Sequence, residues 1–266
     1  MKNFVIDVSR CNGCYSCQIA CKDEHCGNDW MPYARPQPEA GHFWGKMYEY
    51  ERGQIPQVKL SYIFVPCQHC VDAPCIEACP VEGCIYTRDD GMVIIDPKKC
   101  NGCRACVGAC PYECIYYNSN YEIAQKCTGC AHLLDRKEVF APRCWDICTM
   151  EAITFSESSQ IDLTGTEKLH PEYGLNTRVL YKNLPKRFIA GTVYDPVSKN
   201  VVVGAKCTLT GDKGTYSETT DGFGDFWFED IEAADFTLKI EKDGKTKTIE
   251  VSTVEKDRGL GDVALS

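Results

Sequence analysis

Four thiols fall within eleven residues in CNGCYSCQIAC, where Cys11, Cys14, Cys17 and Cys21 are separated by two, two and three residues. The same gaps and nearly the same letters return in CNGCRACVGAC at Cys100, Cys103, Cys106 and Cys110, so the run is an internal repeat. Cys67, Cys70, Cys75 and Cys79 form a variant with gaps of two, four and three, and Cys127, Cys130, Cys144 and Cys148 one with gaps of two, thirteen and three. Of the 20 cysteines, only Cys26, Cys84, Cys114 and Cys207 lie outside these groups. A structural zinc site needs two cysteine pairs separated by a longer loop, which the last group alone would satisfy. Three short gaps in succession suit a 4Fe-4S cube instead, because its iron corners accept several thiolates from one wrapping loop. Pro80 and Pro111 follow the fourth cysteine in two groups, as in that motif, while Lys22 and Thr149 stand there in the others.

The elements that position these loops are legible beside them. In the bacterial ferredoxin run, the fourth cysteine ligates the other cluster of a pair, so the groups must work two by two. The tails CPVEGCIY, CPYECIYY and CTMEAITF each read as a helical turn running into a strand, and IYTRDDGMVIID, residues 85 to 96, reads as a hairpin turning at Asp90-Gly91. Groups two and three therefore form one ferredoxin-like unit, and groups one and four enclose it as another. The expected ligand sets are Cys11, Cys14, Cys17 and Cys148; Cys127, Cys130, Cys144 and Cys21; Cys67, Cys70, Cys75 and Cys110; and Cys100, Cys103, Cys106 and Cys79. Iron is the expected metal at all sixteen.

Composition narrows the function class. Disulfide-dense chains are usually short and secreted, whereas this one has 266 residues and opens MKNFVIDVSRC, without an apolar signal core. A cytoplasmic location is expected, or export in folded form with a partner that bears the signal. No apolar run approaches the ~20 residues of a membrane span. The net charge of -9 argues against nucleic acid, which demands a positive face. No dinucleotide fingerprint, phosphate loop or nucleophile–base motif is present, so the expected chemistry is single-electron transfer, with no catalytic residue on this chain.

Four nested motifs with a thirteen-residue gap in the last resemble the iron-sulfur subunits of molybdopterin oxidoreductases of the dimethyl sulfoxide reductase type. The resemblance implies four 4Fe-4S clusters and a large catalytic partner that holds molybdenum or tungsten bis-pterin, in a heterodimer or a multiple of one. QKCTGCAHLLD, PEYGLNTRVLYKNL and the C-terminal portion are similar to the small subunits of pyrogallol–phloroglucinol transhydroxylases. That similarity implies a complex acting on polyhydroxylated aromatics as transhydroxylase, hydroxylase or reductive dehydroxylase. The Cys100 to Cys110 group departs from that pattern by being complete, and an unbroken row of clusters suits net electron delivery. The alternatives are a free-standing polyferredoxin and a subunit of another molybdopterin reductase.

The expected fold is therefore α+β: two nested ferredoxin-like double-cluster units over residues 1–155, with an insertion at 22–66, then a polar linker at 156–187 and an all-β sandwich at 188–266. The last part carries period-2 segments from FIAGTVYD to KTKTIEVS, with turn signals at Asp195-Pro196, Gly211-Asp212, Asp221-Gly222 and Asp243-Gly244. It resembles a transthyretin-like or carboxypeptidase-regulatory domain, and its expected core is Val193, Val203, Leu209, Phe226, Phe228, Leu238 and Ile240, with Cys207 buried in register. Residues 22–66, with Trp30 and Trp44, are expected to cover the clusters or to dock a partner. Cys84 and Cys114 follow their prolines at nearly equivalent places and are expected to pack against the inner clusters. His25, His69 and His132 lie near cluster loops without being needed as ligands. Lys126 either acts on the adjacent cluster through its charge or is simply solvated.

Overall fold

The computed structural model describes residues 1–136 and 141–266. The chain divides into two compact units, Met1–Glu49 with Tyr62–Leu184, and Tyr50–Ser61 with Pro185–Ser266.

The first unit is built on β1 (Lys2–Asp7), an apolar FVI flanked by polar residues, and α1 (Ser16–His25), which carries the last cysteines of the first run. Then come β2 (Gly45–Gln54), β3 (Gln57–Pro66) and the short helix α2 (Pro74–Glu77), with proline at its first turn. The hairpin of β4 (Ile85–Thr87) and β5 (Val93–Ile95) pairs Ile85 with Ile95 and Thr87 with Val93, as the Asp-Gly signal leads one to expect. After α3 (Ala105–Ala109) the motif repeats as the hairpin β6 (Tyr116–Asn118) and β7 (Ile123–Gln125). The unit closes with α4 (Ala131–Arg136), α5 (Arg143–Asp146), β8 (Ile153–Glu157) and β9 (Val179–Lys182). β1 lies between β8 and β9, antiparallel to the former and parallel to the latter, which seats Phe4 opposite Phe155 and Val179.

This sheet corrects the reading of residues 156–187 as a polar linker. Val179 and Tyr181 are fully buried and share a core with Phe4, Ile6, Phe64 and Met92. The Tyr181 hydroxyl donates to the Phe64 carbonyl at 3.2 Å and accepts from the Gln68 amide, so the segment is tied into the first unit by burial and hydrogen bonding together. Its polar composition belongs to the exposed stretch before β9.

The second unit is a sandwich of a three-stranded and a four-stranded sheet. β10 (Arg187–Tyr194), β11 (Lys206–Gly211), β12 (Gly214–Thr219), β13 (Asp225–Ile231), β14 (Asp235–Lys242), β15 (Lys245–Ser252) and β16 (Arg258–Ala264) are ordered β13-β10-β16 in one sheet and β12-β11-β14-β15 in the other. Val193, Cys207, Leu209, Phe226, Phe228, Leu238 and Ile240 form its core. Val203 does not. It is 51% exposed, because the chain turns at Val203 and Gly204 and the inward alternation starts only at Ala205. The hairpin tip Tyr50–Ser61 belongs to this unit, where Arg52 Nη1 lies 3.4 Å from the Asp257 carboxylate, itself 3% exposed and accepting from the Phe188 amide.

None of the four cysteine groups draws a residue from the second unit. A polypeptide truncated before Phe188 is therefore expected to keep the iron content of the full chain. It should lose solubility, since the hairpin tip loses Asp257 and Phe188. Iron analysis on the truncated form checks this, and a fall in iron would contradict the division.

Candidate iron-sulfur sites

Each cysteine loop is shaped by backbone that only certain residues adopt. In both CNGC repeats the asparagine side chain folds back on its own loop, Asn12 Oδ1 accepting from the Cys14 amide at 3.3 Å and Asn101 Oδ1 from the Cys103 amide at 3.2 Å. Gly13 and Gly102 follow with φ of 70° and 73°, in the left-handed region that glycine enters without steric cost. Tyr15 and Arg104 are also left-handed and immediately precede α1 and α3, so one wrapped loop is used twice. This accounts for the repeated letters: asparagine and glycine shape the loop that carries the thiols.

The sixteen cysteines fall into four groups whose members act on one another electrostatically, each mixing three thiols of one run with one of another. Cys11, Cys14 and Cys17 meet Cys148. Cys127, Cys130 and Cys144 meet Cys21. Cys67, Cys70 and Cys75 meet Cys110, and Cys100, Cys103 and Cys106 meet Cys79. Neighbouring groups also act on one another in a fixed order: Cys17 on Cys144 of the second group, Cys127 of the second with Cys67 of the third, and Cys75 of the third on Cys106 of the fourth. Only Cys14, in the first group, and Cys103, in the fourth, are exposed; the other fourteen are buried or half-buried.

The donor set fits a cationic iron-sulfur core, which its thiolates would make anionic overall. Burial pushes the thiols of Cys17, Cys70, Cys106 and Cys130, one in each group, each up to about 12, so these sulfurs ionise at neutral pH only beside a positive group. Beside the first group, Ile6, Met47, Phe64 and Ile153 line an apolar pocket that also includes Cys11, Cys14, Cys17 and Cys148. Backbone amides already point at sulfurs: Ala152 N to Cys148 Sγ at 3.3 Å, Gly129 N to Cys127 Sγ at 3.4 Å, Ala124 N to Cys100 Sγ at 3.4 Å and His69 N to Cys67 Sγ at 3.5 Å. Such N–H···S bonds stabilise the more negative, reduced state of a cluster.

Matches to known proteins point to iron-sulfur chemistry. The 4Fe-4S dicluster domain profile matches residues 58–158, and the carboxypeptidase regulatory-like domain profile residues 189–266. The pyrogallol hydroxytransferase small subunit of Pelobacter acidigallici is 36% identical over 98% of this chain and 98% of its own length. A tetrathionate reductase subunit of Salmonella typhimurium is 30% identical over 70% of this chain and 73% of its own length. The arsenate respiratory reductase iron-sulfur subunit of a Shewanella species is 28% identical, covering 66% of this chain and 94% of its own length. The protein belongs to the iron-sulfur subunits of the molybdopterin oxidoreductases. It is an iron-sulfur electron-transfer subunit, and among the described residues no helix is long and apolar enough to cross a membrane.

The residues around the sulfurs in this iron-sulfur subunit are more specialised than their sequence indicates. Cys84 is buried beside Cys79 and Cys100, and Cys114 beside Cys110 and Cys67, so the two hold matching places against the fourth and third groups. Trp44 is buried with Cys21, and His25 packs between Trp44 and His132. Burial keeps His25 neutral, its pKa down at about 3. His132 Nε2 meets Glu24 at 2.9 Å and its ring stacks on Trp30, so this part of the 22–66 insertion covers the second group. His69 Nδ1 accepts from the Val93 amide at 3.0 Å. Lys126 is not solvated. It is 2% exposed, and although burial works against its charge, facing Cys67, Cys75 and Cys127 holds its pKa above the usual lysine value. Glu24 and the amide donors at Ala124 and Ala152 carry no sequence signal of their own, because only the fold brings them to the sulfurs.

Proposed function

We propose that this subunit carries four 4Fe-4S clusters, one on each of the four mixed cysteine groups, and relays single electrons between a large molybdopterin subunit and an outside donor or acceptor. A 4Fe-4S cluster bound there supplies one-electron redox chemistry at a potential set by charge, hydrogen bonds to sulfur and exposure. The observation that carries the reading is the order of the groups: four in single file, with the exposed thiols Cys14 and Cys103 at opposite ends and the middle shielded. A row that opens to solvent only at its ends takes an electron in at one and releases it at the other. The chain's own part is to exclude water with Trp44, Phe64 and Met92, to fix the loops through Asn12 and Asn101, and to aim amides at sulfur.

The first group is assigned to the catalytic end and the fourth to the external end. The large partner is taken to act on a polyhydroxylated aromatic, a reading supported by full-length similarity to a subunit whose name specifies pyrogallol. The purified subunit is expected to hold about sixteen irons and as many acid-labile sulfides. About twelve would mean one vacant group, and zinc in their place would refute the assignment. Copurification with a large pterin-bearing chain, and reoxidation of the reduced complex by catechols or pyrogallols, tests the partner and the substrate class.

A further inference from the structure

We propose that Lys126 is a built-in potential-setting charge between the second and third cysteine groups, acting on those two clusters and sparing the other two. The inference rests on the assignment of clusters to these groups. Lys126 immediately precedes Cys127 of the second group, and its side chain runs back toward Cys67 and Cys75 of the third. Its ammonium donates to the Val93 carbonyl and, at 3.1 Å, to that of Cys127. Its partners are those carbonyls and the thiols of Cys67, Cys75 and Cys127, and among the described residues its ion pairs include no carboxylate. A buried charge needs counter-charge, and carbonyl dipoles give only part of it. The thiolate groups on either side give the rest.

Cys67, Cys75 and Cys110 of the third group and Cys127 of the second feel the Lys126 charge, and the first and fourth groups lie one place further along the row. A positive charge stabilises the added electron, so it raises the midpoint potentials of the second and third clusters. It also screens the repulsion between two anionic clusters at the point where Cys127 approaches Cys67. Both effects keep the middle of the row reducible while it stays dry. The effect is that of a fixed charge and involves no proton uptake.

The test is an anaerobic redox titration, followed by electron paramagnetic resonance, of the full chain in its complex, comparing wild type with Lys126→Met and Lys126→Arg. Methionine keeps much of the volume and removes the charge; arginine keeps the charge. Signals are assigned by their loss in Cys17→Ser and Cys103→Ser variants. In Lys126→Met the second and third midpoints are expected to fall so that their reduction equilibria weaken at least about tenfold, ~59 mV for one electron. The first and fourth should hold, and Lys126→Arg should keep all four near wild type. No shift, a common shift of all four, or an equal fall in Lys126→Arg overturns the proposal. If Lys126→Met loses iron, Lys126→Gln replaces it, and loss of iron from both overturns it in favour of a structural role. Fewer than four cluster signals in the wild-type protein would refute the cluster assignment itself.

Discussion

Replacing Cys103 with serine is expected to remove about four of about sixteen irons and to abolish turnover with a protein electron donor, while a small reductant that reaches the pterin directly still supports it. Cys103 is the exposed member of the fourth group, and its amide is held by Asn101. Loss of its sulfur thus opens one corner of one group at the surface and leaves the buried Cys106 and half-buried Cys100 packed where they are. The first group lies at the other end of the row, beyond the reach of that change. The two assays separate two reactions. A complex that needs outside electrons loses activity only with the protein donor, whereas a redox-neutral hydroxyl transfer survives in both. Either result counts once spectroscopy shows three remaining clusters. Four would mean that Cys103 is not a ligand.

The parts of this subunit that could be read from sequence are those where local chemistry dictates local shape. Cysteine spacing marks the loops, Asp90-Gly91 marks the β4–β5 hairpin, and alternation marks β11 and β14. What escaped depends on partners far along the chain. β9 is four residues long and alternates weakly, and only pairing with β1 turns VLYK into buried strand. β2 and β3 pass unnoticed because charged residues crowd the tip and Ile55-Pro56 interrupts the apolar pattern. β16 is masked by Gly259 and Gly261, although Val263 and Leu265 keep the inward alternation. Val203 shows the converse error, since a run of valines looks like strand until Gly204 turns it. Lys126 was undecidable in sequence: the carbonyl that accepts from its ammonium is that of Val93, on another hairpin.

The two CNGC repeats look interchangeable, yet alanine is expected to act very differently in them. Gly102→Ala should cost the fourth group its iron, Gly13→Ala should cost the first group less, and Gly108→Ala should be harmless. A left-handed φ burdens alanine by about 1–2 kcal/mol at both Gly102 and Gly13. The neighbours decide the rest. A Cβ at Gly102 would lie 2.3 Å from the Glu122 carbonyl oxygen, which is backbone and cannot step aside alone. Moving Glu122 displaces the start of β7, and with it the Ala124 amide that donates to Cys100 Sγ at 3.4 Å. At Gly13 the Cβ would instead meet the ring of Tyr62 at 2.5 Å, a half-buried side chain that can swing toward solvent. Gly108 sits within α3 with no atom within 4 Å of a Cβ, and alanine there should stabilise by about 0.5–1 kcal/mol through its higher helix propensity. Iron retained after a fixed exposure to chelator ranks the three variants. Equal loss from Gly102→Ala and Gly13→Ala would show that the left-handed loop alone is the requirement. Loss from Gly13→Ala alone would mean that the carbonyl of Glu122 yields more easily than the ring of Tyr62.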